Sequence, residues 1–132
     1  MLTVKINSFS YLYSGLPEDN SGNGGGFVFD CRFINNPGKI PDLMSLTGKD
    51  EEVIKFLDKT PEMQNFLIKC YDIIDSATDN YLEKNFTNLM VSFGCTGGRH
   101  RSVYAAEKLN EHLRNLYKNK INITVNHYAI SL

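Results

Sequence analysis

The chain reads NLMVSFGCTGGRHRS over residues 88–102, and this stretch decides the fold. Its first half, Leu89–Phe93, is a short apolar run of the residue types that favour β-strands. Its second half is a glycine-containing turn rich in hydrogen-bond donors. Apolar residues then recur at helical spacing on one face: Val103, Ala106, Leu109, Leu113 and Leu116. The stretch therefore predicts a strand, a loop and a helix in succession.

An anion-binding loop is expected where this strand meets this helix. Residues 96–100 would lie beside the first turn of the helix, whose N–H groups are unpaired and whose dipole is positive at that end. Gly97 and Gly98 allow backbone amides to approach an oxyanion or adopt a positive φ. Arg101 adds a planar fork of donors suited to phosphate, and Arg99 and His100 raise the local positive charge.

Composition indicates one ordinary globular domain over residues 1–132. The chain has 14 Lys plus Arg against 15 Asp plus Glu, so no strong overall field favours nucleic acid or a membrane surface. Three cysteines do not form a disulfide-rich framework, and Met1 is not followed by a secretory signal pattern. No apolar run is long enough to span a bilayer. We therefore expect no membrane contact and a cytoplasmic location.

The remaining patterns complete an α/β fold. Alternation predicts a strand over residues 2–9, and apolar runs predict strands over 27–33 and 121–125. Asp50 is expected to cap a short helix ending at Leu57, and Thr60 to cap a second one with Pro61 at its first position. The expected buried face of that second helix is Met63, Phe66, Leu67, Cys70, Ile73, Ile74, Ala77 and Tyr81.

Two strand–helix–strand passages imply right-handed crossovers and a mainly parallel sheet flanked by helices. Ligands of such sheets bind beyond the carboxyl ends of the strands. The loop after Cys95 and the end of the strand over residues 27–33 should both reach that edge. Asp30 and Arg32 would share one face of that strand, because strand side chains alternate. The sequence leaves open whether they form a structural ion pair or contact a ligand.

Three kinds of chemistry fit these residues. The first is a phosphate or phosphosugar site that uses the loop amides, Thr96, Arg101 and Ser102, with Asp30 and Arg32 contacting the rest of the ligand. The second is catalysis, because Cys95 and Arg101 have the C-x5-R spacing of cysteine-dependent phosphatases, in which a thiolate attacks phosphorus and Asp30 could act as the leaving-group acid.

The third chemistry is metal binding. Cys31, Cys95, His100 and His127 have donor atoms suitable for zinc, but no pair of them has a familiar ligand spacing. We therefore expect neither a metal nor another cofactor.

Three segments in the same order resemble the carboxy-terminal domain of the RapZ family of bacterial RNase adapter proteins. They are FVFDCRFINNP (27–37), LTGKD (46–50) and GCTGGRHRSVYAAEKL (94–109), and the resemblance extends over nearly the whole chain. It implies a sensor of amino-sugar phosphate that recognises glucosamine 6-phosphate, with RNA or a ribonuclease as further partners. The sequence leaves open whether the chain also forms a homo-oligomer. The implied pocket is Asp30, Arg32, Cys95, Thr96, Gly97, Gly98, His100, Arg101 and Ser102.

This chain departs from the family pattern at several points. It contains no G-x-x-x-x-G-K-[ST] motif, so we expect the domain to occur as a stand-alone chain that binds neither ATP nor GTP. Gly38 stands where members often have His or an aromatic residue, and the residues up to Leu132 lack the basic tail that assists RNA binding in some members. Any RNA contact is expected on the last helix and the turn after it, at Lys108, Arg114, Lys118 and Lys120.

Overall fold

The computed structural model describes residues 1–130. The strands are Thr3–Ser10 (β1), Phe27–Asp30 (β2), Asn88–Cys95 (β3) and Asn122–His127 (β4). The α-helices are Glu51–Asp58 (α1), Pro61–Glu83 (α2) and Arg101–Tyr117 (α3). Short 3-10 helices cover Pro37–Lys39, Pro41–Leu43 and Lys118–Lys120.

One four-stranded sheet organises these elements, with strand order β2-β3-β1-β4 and parallel pairing at every step. In this register Ile6 of β1 lies beside Val91 of β3 and Val125 of β4. The predicted α/β class with a parallel sheet and flanking helices is therefore confirmed. Because all four strands point the same way, their carboxyl ends meet at one edge of the sheet.

The two faces of the sheet differ in what covers them. Val4, Ile6 and Val91 are fully buried on one face and join the apolar core to which the three helices contribute. Alternation places Phe9 on the opposite face, where the ring of Tyr11 packs edge-on against it with centroids 4.8 Å apart. The long connection from Tyr11 to Gly26 therefore begins against this second face of the sheet.

The predicted helix starts are correct, but the two predicted capping hydrogen bonds are wrong. Asp50 and Thr60 occupy the N-cap positions of α1 and α2 without a side-chain bond to the helix. The Asp50 carboxylate accepts instead from the backbone N–H of Thr47 at 2.7 Å. The hydroxyl of Thr60 donates to the carbonyl of Phe56 at 2.8 Å. Each side chain bonds to the residues just before its helix.

The second strand is shorter than predicted. It ends at Asp30 rather than Phe33, because the Asp30 carboxylate accepts from the backbone N–H of Arg32 at 2.9 Å and turns the chain. Arg32 therefore lies in a turn, and the prediction that it shares a strand face with Asp30 is wrong.

Two predicted core positions are exposed instead, Ile73 (44%) and Leu116 (54%). In α3 the buried stripe follows the i+4 row from Leu109 through Leu113 to Tyr117. In α2 the same row continues from Cys70 to Ile74 and passes Ile73 by. Cys70 is a core residue, as predicted. Across residues 1–130, no helix has the length and apolarity needed to cross a membrane.

Candidate functional site

The glycine-containing loop, residues 96–100, lies at the carboxyl end of β3, and α3 begins directly after it. The hydroxyl of Ser10, at the end of β1, donates to the carbonyl of Thr96 at 2.6 Å and holds the loop down. Gly98 has a φ of +69°, and a side chain there would meet Ser10 and Ala129. Gly97 faces open space. The loop is thus packed on one side and open on the other.

The three residues Arg99, His100 and Arg101 all bond to the backbone of residues 31–48, which we call the capping segment. Arg99 donates from Nη2 to the carbonyl of Ser45 at 3.2 Å, and His100 Nε2 lies 3.0 Å from the carbonyl of Leu43. In return, the N–H of Gly48 donates to the carbonyl of Arg99 at 2.8 Å. These three residues therefore hold the glycine-containing loop against the capping segment, a role that the sequence pattern did not indicate.

Arg101 is the most heavily engaged of the three. Its Nη1 is directed at three carbonyls, those of Ile34 at 2.8 Å, Arg32 at 2.9 Å and Cys31 at 3.4 Å. The residue is 4% exposed, and within residues 1–130 its buried Nε has no hydrogen-bond partner. Arg101 is therefore a rigidly placed guanidinium with donor capacity left over.

His100 is neutral and buried in this arrangement. Because a carbonyl only accepts, the Nε2 that faces Leu43 carries the proton of the neutral ring. Burial, with the neighbouring charges of Arg99 and Arg101, lowers the pKa of His100, although the hydrogen bond to Leu43 opposes this shift. The ring also lies close to Gly38, where a side chain would come within 3.2 Å of it. Glycine at this position therefore lets the capping segment approach the loop closely.

A cleft of about 580 Å³ opens between the loop, the capping segment and α1. Its lining includes three cationic side chains and no carboxylate. The lining residues are Arg32, Phe33, Ile34, Asn35, Asn36, Lys39, Ile40, Phe56, Thr96 and Arg101. A smaller depression lies next to it and shares Arg32 and Thr96 with it. The positive lining makes this cleft the candidate site for an anion.

Asp30 and Arg32 form an ion pair, the first of the two alternatives that the sequence left open. Arg32 donates from Nε and Nη2 to the Asp30 carboxylate, the shorter contact being 2.7 Å. Its guanidinium also lies 3.8 Å from the ring centroid of Tyr11. The hydrogen bond from Arg32 lowers the pKa of Asp30 and keeps it ionised. Arg32 lines the cleft, whereas Asp30 is not part of its lining.

Cys95 and Ser102 lie beneath the loop rather than in the cleft. Their side chains are 2% and 0% exposed, and the Cys95 sulfur lies 3.1 Å from the Ser102 hydroxyl oxygen. Neither side chain lines the cleft. This contact links the end of β3 to the first turn of α3 and so supports the loop from below.

The residues weighed as zinc ligands have other partners. His127 lies with Nδ1 2.6 Å from the hydroxyl of Ser8 and with Nε2 2.9 Å from the carboxylate of Glu107. His100 faces Leu43, and burial raises the pKa of the Cys31 thiol well above its usual value. In the part of the chain that the structure describes, no three His, Cys, Asp or Glu residues are grouped to hold a metal ion.

Of the nine predicted pocket residues, the cleft collects Arg32, Thr96 and Arg101. Sequence reasoning missed Lys39 and the aromatic wall formed by Phe33 and Phe56. One signal was available for Phe33 and Lys39, because both lie in the connection that follows a predicted parallel strand, and such connections form ligand sites. No such signal marked Phe56, since the helical pattern around it indicates only that it lies on a half-buried face.

Known proteins share much of this sequence. The chain is 40% identical over 130 residues to a nucleotide-binding protein of Fervidobacterium nodosum, covering 98% of this chain and 43% of the relative. It is likewise 40% identical over 121 residues to a nucleotide-binding protein of Clostridium beijerinckii, covering 91% of this chain and 39% of the relative. The chain thus spans about two fifths of the length of these curated relatives. Residues 2–131 match the sequence profile of the RapZ C-terminal domain, and the chain belongs to that family.

Proposed function

We propose that this domain binds a phosphorylated sugar, glucosamine 6-phosphate being the expected ligand, in the cleft between the glycine-containing loop and the capping segment. We propose further that it acts as a regulatory sensor rather than as an enzyme. The observation that carries the proposal is Arg101, a buried guanidinium that lines the cleft and retains an unpaired donor.

The chemistry of the surrounding residues supports a phosphate ligand. Arg101 is also the first residue of α3, so the cleft lies beside the positive end of the helix dipole. Thr96 adds a hydroxyl, and Gly97 leaves its backbone open to an approaching ligand. A phosphomonoester, with nearly two negative charges at neutral pH, matches a cleft that is lined by cations and has no carboxylate in its lining.

A sensing role is supported by the double engagement of Arg101. The side chain that would hold the phosphate also holds the carbonyls of Arg32 and Ile34. A ligand that draws on this guanidinium therefore changes the interaction that positions the capping segment. Such a change at the surface is what a partner protein can recognise.

The alternative, a cysteine-dependent phosphatase, fits the geometry less well. Its nucleophile must reach phosphorus, whereas the Cys95 thiol is 2% exposed and contacts Ser102. Its leaving-group acid must carry a proton, whereas the hydrogen bond from Arg32 lowers the pKa of Asp30.

Two other ligand classes have less support. The relatives are named nucleotide-binding proteins, but this sequence contains no P-loop motif that would bring ATP or GTP binding to it. Among the candidate RNA contacts, Lys108 lies between the carboxylates of Asp58 and Glu111, at 3.8 and 3.7 Å, and Arg114 bonds to Asn110. The two ion pairs of Lys108 reduce the charge that it can offer to a phosphate backbone, and the hydrogen bond to Asn110 occupies a donor of Arg114.

The test is a titration of isotopically labelled protein with glucosamine 6-phosphate, glucosamine and inorganic phosphate in parallel. We expect glucosamine 6-phosphate to shift backbone amide signals of residues 94–103 while glucosamine leaves them unchanged. Shifts confined to other parts of the chain would reject this site. A steady release of phosphate that disappears in Cys95→Ser would reject the sensor in favour of the phosphatase.

A further inference from the structure

Lys39 is the one cation of the cleft whose side chain has no partner among the residues that the structure describes. Arg32 is held by Asp30 and by the ring of Tyr11, and Arg101 directs its Nη1 at backbone carbonyls. Lys39 lines the same cleft and is exposed. Within residues 1–130 its ammonium group has neither an ion-pair nor a hydrogen-bond partner. Its charge is therefore fully available to a ligand.

The backbone that carries Lys39 is fixed relative to the loop. Lys39 ends a 3-10 turn in which the side chain of Asn36 accepts from the N–H of Gly38 at 2.9 Å. Gly38 packs against the ring of His100, which belongs to the glycine-containing loop. A rigid turn thus delivers a flexible cationic side chain to a cleft whose other side holds a buried and incompletely paired guanidinium.

From this placement we propose that Lys39 is a specificity-determining residue of the cleft and selects dianionic phosphomonoesters over singly charged esters of the same shape. This inference rests on the proposed function. Arg101 contributes directed donors in a fixed plane, which a sulfate or phosphate group can accept equally well. Every cation of the cleft attracts a dianion more strongly than a monoanion, but Arg32 is already paired with Asp30 and Arg101 is already engaged with carbonyls. The compact ammonium of Lys39 can therefore contribute most of the charge-dependent attraction.

The second proton of a phosphomonoester dissociates at a pH of about 6, whereas a sulfate ester carries a single charge throughout the accessible pH range. Selection for the dianion should therefore depend on pH. With Lys39 present, affinity for the phosphate ester should fall from pH 7.5 to pH 5, while affinity for the sulfate ester should change little.

The experiment is calorimetric titration of the whole chain with glucosamine 6-phosphate and with glucosamine 6-sulfate at both pH values. The variants are Lys39→Met, Lys39→Arg and, as a control, Lys69→Met, which removes the same charge from an exposed position in the middle of α2. Thermal unfolding of each variant verifies that it is folded at the temperature of titration.

At pH 7.5 we expect the protein to prefer the phosphate ester by about tenfold, which corresponds to about 1.4 kcal/mol. Lys39→Met should remove most of this preference by weakening the phosphate ester alone, and should flatten its pH profile. Lys39→Arg should restore the preference, and Lys69→Met should leave it unchanged. Equal losses for both esters, or equal effects at Lys39 and Lys69, would overturn the proposal for Lys39 while the phosphosugar site stands. Binding of neither ester would reject the proposed function itself, and Lys39's role with it.

Discussion

The proposed site gives Arg101 both a structural and a binding role in one side chain. Its Nη1 is directed at three carbonyls of the capping segment, and its Nε remains unpaired in the interior. A buried donor without a partner costs free energy, so an acceptor supplied by a ligand would recover part of that cost. Arg99 differs, because it makes a single exposed contact to Ser45 and does not line the cleft.

We predict that Arg101→Lys weakens glucosamine 6-phosphate binding by about tenfold or more, because charge-assisted hydrogen bonds contribute roughly 1.5–3 kcal/mol each. The same change should lower the free energy of unfolding, since the shorter lysine side chain does not place its ammonium group where Nη1 of Arg101 bonds to the carbonyls of the capping segment. Calorimetry at a temperature where the variant stays folded measures the first effect, and denaturant unfolding measures the second.

Arg99→Lys is the control for this pair of measurements and should be nearly neutral in both. If the two substitutions weaken binding to the same extent, Arg101 does not contact the phosphate.

The two adjacent glycines of the loop differ in backbone conformation and in the space around them. Gly98 is confined by Ser10 and Ala129 and has a positive φ. Gly97 has neither restriction within the protein. A methyl group at Gly98 should therefore disturb the fold, and one at Gly97 should disturb only a ligand that approaches the loop.

We predict that Gly97→Ala leaves the unfolding temperature unchanged and weakens glucosamine 6-phosphate binding by about tenfold, the effect of losing one charge-assisted amide contact of about 1.5 kcal/mol. Gly98→Ala should instead lower the unfolding free energy by roughly 1–3 kcal/mol, as expected for overpacking. Thermal unfolding and calorimetry of both variants provide the check. Unchanged affinity in Gly97→Ala would mean that the ligand does not approach this amide.

The molecule as a whole is stabilised by a neutral His100 between the loop and the capping segment. Burial lowers its pKa in the folded protein below the value of about 6.5 expected when unfolded. The unfolded chain therefore binds the proton more readily. The stabilising effect of neutral His100 is complete above the unfolded-state pKa and is lost as the pH falls through the lower folded-state pKa.

We predict that the unfolding temperature falls between pH 7.5 and pH 5.5, and that His100→Asn makes this dependence shallower. The carboxylate of Asp30, whose pKa is also lowered, would lose its contribution to the free energy of unfolding only at more acidic pH. The range from pH 7.5 to pH 5.5 therefore separates the effect of His100 from that of Asp30. Calorimetric scans at four pH values would measure the slope. An identical slope in His100→Asn would show that another group governs the dependence.

Local patterns sufficed for the elements of this fold. The apolar run before Cys95 predicts β3, because a strand buried on both faces is apolar throughout, and the helical spacing after Arg101 predicts α3, because a helix buries one face. The strand–helix–strand connections then predict a parallel sheet and bring the loop to the edge at which such sheets bind ligands. The family resemblance likewise depends on local sequence alone, on the three segments over residues 27–37, 46–50 and 94–109.

The composition of the cleft depended on contacts between distant parts of the chain. Arg101 bonds to the carbonyl of Ile34, 67 residues away in the sequence, and no local pattern reveals that its donors are partly occupied there. Lys39 looks like an ordinary loop lysine until the capping segment is placed against the loop. Periodicity reports which side of an element is buried, whereas the availability of a charge depends on which partners the folded chain brings to it.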